Sequence, residues 1–434
     1  MTDVFPKMIH VRQRFPAAFR IDISNLLDTE FRAKGIFAKP ITGRVAVGVG
    51  SRGIANIDSI VIAVIDQLRR AGAQPFIVPA MGSHGGATSK GQIEMLASYG
   101  VTAERIGVPV EASMDVKQLG TTPEGVEVYF SAAALTADAI VVINRIKPHT
   151  DFQGAIASGL MKMLAIGLGK ETGARICHAA ASRLGHERVI RSVARVVLNS
   201  VPVLCGVAIL ENQIHETARL VVLLPGEIER REEQLLREAS VLMPRLPFDE
   251  IDLLIVEEIG KNISGAGMDP NIVGRDVQGY SSSLIPRNEI PPVIHRIFVR
   301  DLSSATHGNG IGLGLADFVT SRLLKSLDRK ATYINALTAL TPQTAKIPIW
   351  FDSDREAITQ ALRSLALDDA RSARVVRIQD TLSLGELMVS SALVDSLRKR
   401  DDIELLGQSR EMHFSDGGNL MPLASEFAEA RGDF

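Results

Sequence analysis

The 434-residue chain predicts an α/β protein: two α/β domains with parallel or mixed sheets and an interdomain active-site cleft. Short β-branched runs alternate with amphipathic stretches, the pattern of strands that pair in parallel beneath covering helices. A Pro-punctuated segment, MPRLPFDEID at 243–252, runs into a fresh apolar strand, which marks a domain boundary. At roughly 150 residues per domain the length gives two to three domains. The expected division is a cofactor-binding catalytic domain at 1–246, a substrate or lid domain at 247–405, and a tail at 406–434 that packs back on the first domain.

Residues 44–50, RVAVGVG, read as a buried strand, and 57–72 as a helix closed by Gly72. The next strand is 74–80 and the next helix 89–100, again ending on glycine. This β-α-β-α opening implies parallel pairing. Further strands are expected at 137–146, 201–210 and 220–224, with helices near 182–198 and 227–242. Beyond the boundary, strands are expected at 252–259, in VIHRIFVRD and in RVVRIQD. Helices are expected after the Gly-rich turn, over 313–325, and near 386–399. Ligands of such sheets sit at the carboxyl ends of the strands.

Composition removes several function classes. The net charge is -2 and aromatics are 5% of the chain, so neither charge nor stacking platforms favour nucleic acid. Two cysteines, Cys177 and Cys205, supply neither a disulfide framework nor a four-cysteine metal site. The first fifteen residues lack the apolar core of a signal peptide, and no apolar run approaches the ~18 residues of a membrane span. A cytoplasmic protein without membrane or nucleic-acid partners is expected.

The first turn, VGVGSRG, places Gly48, Gly50 and Gly53 in a G-x-G-x-x-G spacing between strand and helix. Such a turn aims backbone N–H groups at a phosphate, with Ser51 and Arg52 adding a hydroxyl and a guanidinium. The carboxylate that a dinucleotide ribose needs at the end of the second strand is missing from PAMGSH. A phosphate site unlike an ordinary NAD site, or a tight turn with no ligand, are the two readings.

At the end of the second strand His84 stands among Gly82, Gly85 and Gly86, with room for a ligand to approach. The third strand ends in NRIKPHTDFQG, delivering Asn144, Arg145, Lys147 and His149; a salt-bridged loop is the plain alternative. Parallel strands would bring Arg52, His84 and His149 to one edge. Lys162 lies in an apolar, Gly-spaced run, GAIASGLMKMLAIGLGK. It is either a desolvated, nucleophilic amine or a side chain that snorkels to solvent. Lys170 reads as a solvated helix cap. His178, beside Cys177, has no second histidine or carboxylate at i+3 or i+4, which excludes a helical zinc pair. His186 reads as a surface residue. The turn HGNGIGLGLAD, His307 to Asp317, either lines the cleft or lets a helix pack closely.

VGVGSRG, PAMGSHGGAT, KPHTDFQGAIASGLMKM and the later His178, sixteen residues beyond Lys162, resemble the lactate racemase family. The likeness covers about 45–181 and, more loosely, the second domain. It implies a nickel-pincer nucleotide, made from a nicotinic-acid precursor by partner biosynthesis enzymes. It further implies that Gly50, Ser51 and Arg52 bind the cofactor, with Arg52 beside the substrate. By the same resemblance His84 and His149 are the acid/base pair, Lys162 joins the cofactor through a thioamide, and His178 ligates nickel. The implied reaction is racemisation or epimerisation of a 2-hydroxy acid by hydride loss from Cα, through a 2-keto acid.

The sequence departs from that family where substrate-binding glutamine and lysine are expected. There it reads GMDPNIVGRDV, with Gly274 and Val277 at those positions and Asn271 and Arg275 as nearby substitutes. The segment between His149 and Lys162 is also longer. The expected substrate is a small 2-hydroxy acid other than lactate. An NAD-type oxidoreductase and a non-catalytic nucleotide- or metabolite-binding protein are the alternatives.

Overall fold

The computed structural model describes residues 4–16, 21–38, 40–51, 53–275, 277 and 292–431. The chain forms two compact units: Ala17–Met243, and Met1–Pro16 together with Pro244–Phe434. The first strand, β1 (Met8–Gln13), therefore belongs to the second unit.

In the unit Ala17–Met243, β2 (Arg44–Val49), β3 (Gln74–Pro79), the hairpin of β4 (Val116–Thr121) and β5 (Glu127–Ser131), β6 (Ala139–Arg145), β7 (Val203–Glu211) and β8 (Thr217–Leu223) follow one another. The main sheet has the order β3-β2-β6-β7-β8. Its first four strands are parallel, and β8 runs antiparallel to β7. The β-branched centres of β2, β6 and β7 are fully buried on both faces, as expected of parallel strands covered by helices.

One face is covered by α1 (Ile23–Ala33) and α2 (Ile57–Arg70), the other by a helical segment through Leu160–Lys162 and Met163–Gly167, then α4 (Lys170–Leu184), α5 (His186–Ser200) and α6 (Ile228–Val241). Between β3 and β4 lies α3 (Ser89–Ser98), capped by the Thr88 hydroxyl, which accepts from Gly91 N–H. The single helix expected at 182–198 is two helices: Gly185, at φ +83°, turns the chain between α4 and α5.

The other unit is built on an eight-stranded sheet. Its later strands are β9 (Glu250–Ile259), β10 (Val293–Leu302), β11 (Phe318–Thr320), β12 (Ile349–Phe351), β13 (Val375–Ile378), β14 (Glu386–Ser390) and β15 (Ile403–Arg410). The order is β12-β11-β10-β9-β13-β14-β1-β15. Four expectations change here. β1 is paired on both sides, to β14 and β15, so residues 8–13 are not part of the first domain. The tail expected to return to that domain contributes β15 and the helix Leu423–Arg431 to this second unit. Residues 386–390 are a strand rather than the start of a helix, because ELMVS pairs with both β13 and β1. Over 313–325, a short 3-10 turn and β11 precede the helix Ser321–Ser326.

Among the described residues, no helix is long and apolar enough to cross a membrane.

Candidate functional site

Three neighbouring parallel strands, β3, β2 and β6, end at one edge, and the chain carries its chemistry just beyond each end. After β2 come Gly50 and Ser51. A Cβ on Gly50 would meet the Asn144 side-chain Oδ1 at 2.7 Å and the Met163 methyl at 3.2 Å, so glycine lets the Asn144 side chain and the helical segment approach the strand end. Arg52 lies outside the described residues. Ser51 is buried, and its Oγ lies 2.6 Å from His84 Nδ1. Tyr99 Oη donates to the Ser51 carbonyl at 3.0 Å.

The helix start expected to cradle a phosphate is partly occupied by the protein itself. Ala55 N–H donates to Glu211 Oε1 at 2.7 Å, and Glu211 also pairs with Arg145. A carboxylate thus already takes the anion's place beside α2. Arg145 is held there as its counter-ion, the salt-bridged alternative weighed for the third strand.

Beyond β6, His149 sits half-buried against Lys162. Lys162 Nζ is 2.6 Å from His149 Nε2, while His149 Nδ1 accepts from Asp151 N–H at 3.0 Å. A ring nitrogen that accepts from an amide carries no hydrogen, so in the neutral imidazole the proton is on Nε2, the nitrogen that faces the Lys162 amine.

Phe152 stacks on His149 at 4.2 Å between centroids and on His186 at 4.6 Å; His186 meets His178 edge-on at 6.1 Å. His186, read from sequence as a surface residue, is thus part of the cluster. The His178 ring presents an exposed edge and is crowded by protein elsewhere. Crowding lowers its pKa to about 4, with charge on Lys162 or His186 acting the same way, so it is neutral near pH 7. Cys177 faces inward, and burial pushes its thiol up to about 12, so it is not an available thiolate.

The helical segment bearing Lys162 is held from below. Leu168 N–H reaches back to Met163 carbonyl at 2.9 Å, a π-turn that sets Lys162 apart from a regular helix. Asn144 Nδ2 donates to Gly159 carbonyl at 3.0 Å. Glu232, fully buried, accepts from Met161 N–H at 2.9 Å, and its other oxygen lacks a well-aligned donor.

Burial raises the Glu232 pKa to about 7, against the pull of the Met161 and Leu160 amides. The folded chain then binds this proton more tightly than the unfolded chain, whose value is near the ordinary 4.5. Stability due to Glu232 therefore falls as pH rises from about 4.5 to about 7, at a slope on the order of 1 kcal/mol per pH unit. Chemical denaturation at a series of pH values should show Glu232→Gln lacking that slope; an unchanged slope would refute the assignment.

Lys170 is not a solvated cap. It is fully buried, and Nζ donates to Pro79 carbonyl at 2.7 Å and Gln92 Oε1 at 3.2 Å. Burial lowers its pKa to about 8. Gln92, also fully buried, donates onward to Gly82 carbonyl at 2.9 Å and His84 carbonyl at 3.4 Å.

The substrate residues expected from the second unit are engaged locally. Arg275 forms a bidentate pair with Asp317 at 2.8 and 2.7 Å and donates to the Leu315, Ile294 and His295 carbonyls. Asn271 backbone and side-chain N–H groups donate to Asp269 Oδ1, both at 2.9 Å. Gly274 ends the short helix Pro270–Val273 at φ +69°, and Val277 is buried. In the Gly-rich turn, a Cβ on Gly312 would strike the Ala266 backbone, so close packing accounts for that glycine; His307 is exposed.

Residues 50–188 match the family described as the lactate racemase N-terminal domain. Among solved structures, the lactate racemase apoprotein from Thermoanaerobacterium thermosaccharolyticum is 13% identical with a TM-score of 0.48, over 91% of each chain. A protein from Thermotoga maritima is 14% identical with a TM-score of 0.45, over 74% of this chain and 80% of that one. No curated protein matches the chain.

Proposed function

We propose that this chain, whose residues 50–188 match the lactate racemase N-terminal domain, is an isomerase, a racemase or epimerase of a 2-hydroxy acid other than lactate. The reading includes reversible hydride removal from Cα with a nickel-pincer nucleotide joined to Lys162. The observation that carries it is the pairing of two histidines at one sheet edge, His84 with Ser51 and His149 with Lys162.

The donor set suits that group. Among the described residues no three His, Cys, Asp or Glu side chains gather as a metal site. A metal held by the protein alone does not fit, whereas one that arrives with carbon and sulfur donors of its own needs a single imidazole. His178, exposed at one edge and neutral near pH 7, fits that role. Lys162, half-buried with its amine against His149, fits the attachment. When bound, the group would supply an electrophilic pyridinium carbon as hydride acceptor.

The chain's own residues manage the hydroxyl proton. With Nδ1 engaged by Ser51, His84 exchanges a proton with the ligand through Nε2. With Lys162 holding the group, His149 Nε2 would be the nitrogen that faces the substrate hydroxyl. The Asp151 amide on Nδ1 keeps the neutral ring in this donor form, so the two histidines begin the cycle in different roles.

The test uses protein made alongside the cofactor-building enzymes and a panel of Cα-deuterated 2-hydroxy and sugar acids. Expected are nickel, a sulfur-containing mass adduct on Lys162, and an inverted product that keeps its deuterium with a primary isotope effect. Folded protein with neither nickel nor adduct, or label lost to water, would overturn the reading.

A further inference from the structure

The turn that carries His84 is anchored from beneath by two buried polar side chains. Lys170 opens α4 at φ +54°, a left-handed backbone that is unfavourable for a non-glycine residue. Its ammonium is fully buried, and its bonds go to Pro79 and Gln92 rather than to a carboxylate. Methionine or leucine would fill the same space without burying a charge.

What the arrangement secures is visible in the backbone accounting of residues 79–84. The Pro79 carbonyl is taken by Lys170, and the Gly82 and His84 carbonyls by Gln92. On the other side, Ala80 N–H donates to Val49, Gly82 N–H to Gly167, and His84 N–H to Met81. The Met81 carbonyl accepts from His84 N–H, and those of Ser83 and His84 accept from Ala87 N–H, so Lys170 and Gln92 supply the donors to Pro79 and Gly82 and a second one to His84, and the Lys170 ammonium also orients the Gln92 amide by occupying its oxygen.

We propose that Lys170 and Gln92 form a buried clamp that positions His84 against Ser51, so that Lys170 acts as a positioning residue for proton exchange at the site. The role of His84 in that exchange rests on the proposed function; the placement of its ring does not. Without the clamp, the Pro79 and Gly82 carbonyls lose these donors and the His84 carbonyl keeps only Ala87 N–H, the turn relaxes, and the contact between Ser51 Oγ and His84 Nδ1 is no longer enforced. Displacements of about 1 Å at a reacting group can cost ~100-fold in rate.

The test compares unaltered protein with Lys170→Met and Gln92→Glu. The second keeps a partner for the ammonium while removing the donors to Gly82 and His84, so it serves if the first does not fold. Imidazole 15N resonances of the cofactor-free protein, assigned with His84→Ala and His149→Ala, report ring environment without any turnover. The His84 resonances are expected to lose the signature of a hydrogen-bonded Nδ1 while those of His149 stay in place. In loaded protein, kcat is expected to fall about 10- to 100-fold with KM changed less than about threefold. Unchanged His84 resonances in a folded variant, or equal movement of His149, would overturn the clamp. If loaded, unaltered protein turns over no 2-hydroxy acid, the functional reading fails, and the 15N result still decides the clamp.

Discussion

Lys162→Arg protein, made alongside the cofactor-building enzymes, is expected to show no covalent adduct by intact mass and at least ~1000-fold lower turnover than unaltered protein. His149 accepts the Asp151 amide on Nδ1 and faces Lys162 from Nε2, and the attachment needs a lysine amine that can be deprotonated. A guanidinium keeps the length and charge of a basic side chain yet offers no lone pair and cannot form the thioamide. It would also force His149 to turn its Nε2 from donor to acceptor, against the Asp151 amide. Lys162→Ala should lose the adduct equally but leave His149 undisturbed, so arginine should be the worse variant in thermal stability. An adduct of unchanged mass on Lys162→Arg would show that attachment lies elsewhere.

Much of the carboxyl edge was legible because its signals are local. A strand that ends in VGVGS, in PAMGSH or in NRIKPH changes from β-branched to polar or glycine within a few residues, and parallel order then brings such ends together. The helix-carried Lys162 was legible for a related reason, an amine inside an apolar run. The chemistry of the glycine turn was less well read. G-x-G-x-x-G spacing cannot tell a turn that receives phosphate from one whose glycines admit a neighbouring side chain, and the Glu211 carboxylate that reaches Ala55 lies at the end of β7.

The missed features depend on partners distant in sequence or on backbone geometry. β1 joins its sheet through residues near 390 and 405, and no pattern within MIHVRQ announces that. Lys170 follows GLG and precedes a helix, where a solvated cap is the ordinary outcome; its positive φ sends the side chain inward instead. Gln92 and Glu232 look like surface residues of amphipathic helices, and only their backbone acceptors and donors explain their burial. His186 joined the cluster because Gly185 ends α4 and starts α5 at the level of Phe152, a stack set by the turn.

His84→Ala and His149→Ala are each expected to lower racemisation by about 100- to 10,000-fold, with nickel content retained, since neither ring is the proposed metal ligand. The sharper expectation concerns half-reactions. In a hydride mechanism each configuration needs a base at its hydroxyl while Cα gives up hydride, and the two hydroxyls approach from opposite sides of the planar keto acid. His84, with Ser51 on Nδ1, is suited to accept through Nε2. His149 begins as a donor and must first move its proton to Nδ1, against the Asp151 amide. Single-turnover oxidation to the keto acid, measured separately from each configuration, should therefore respond unequally. His84→Ala should suppress one configuration strongly, His149→Ala the other, and unaltered protein should oxidise the His84-dependent configuration faster. Overall rates in the two directions must still obey the equilibrium constant, so the asymmetry is invisible in steady-state racemisation and appears only in the half-reactions. Equal suppression of both configurations by either variant would mean that one histidine serves both faces, and the donor bias set by Asp151 would then have no part in the reaction.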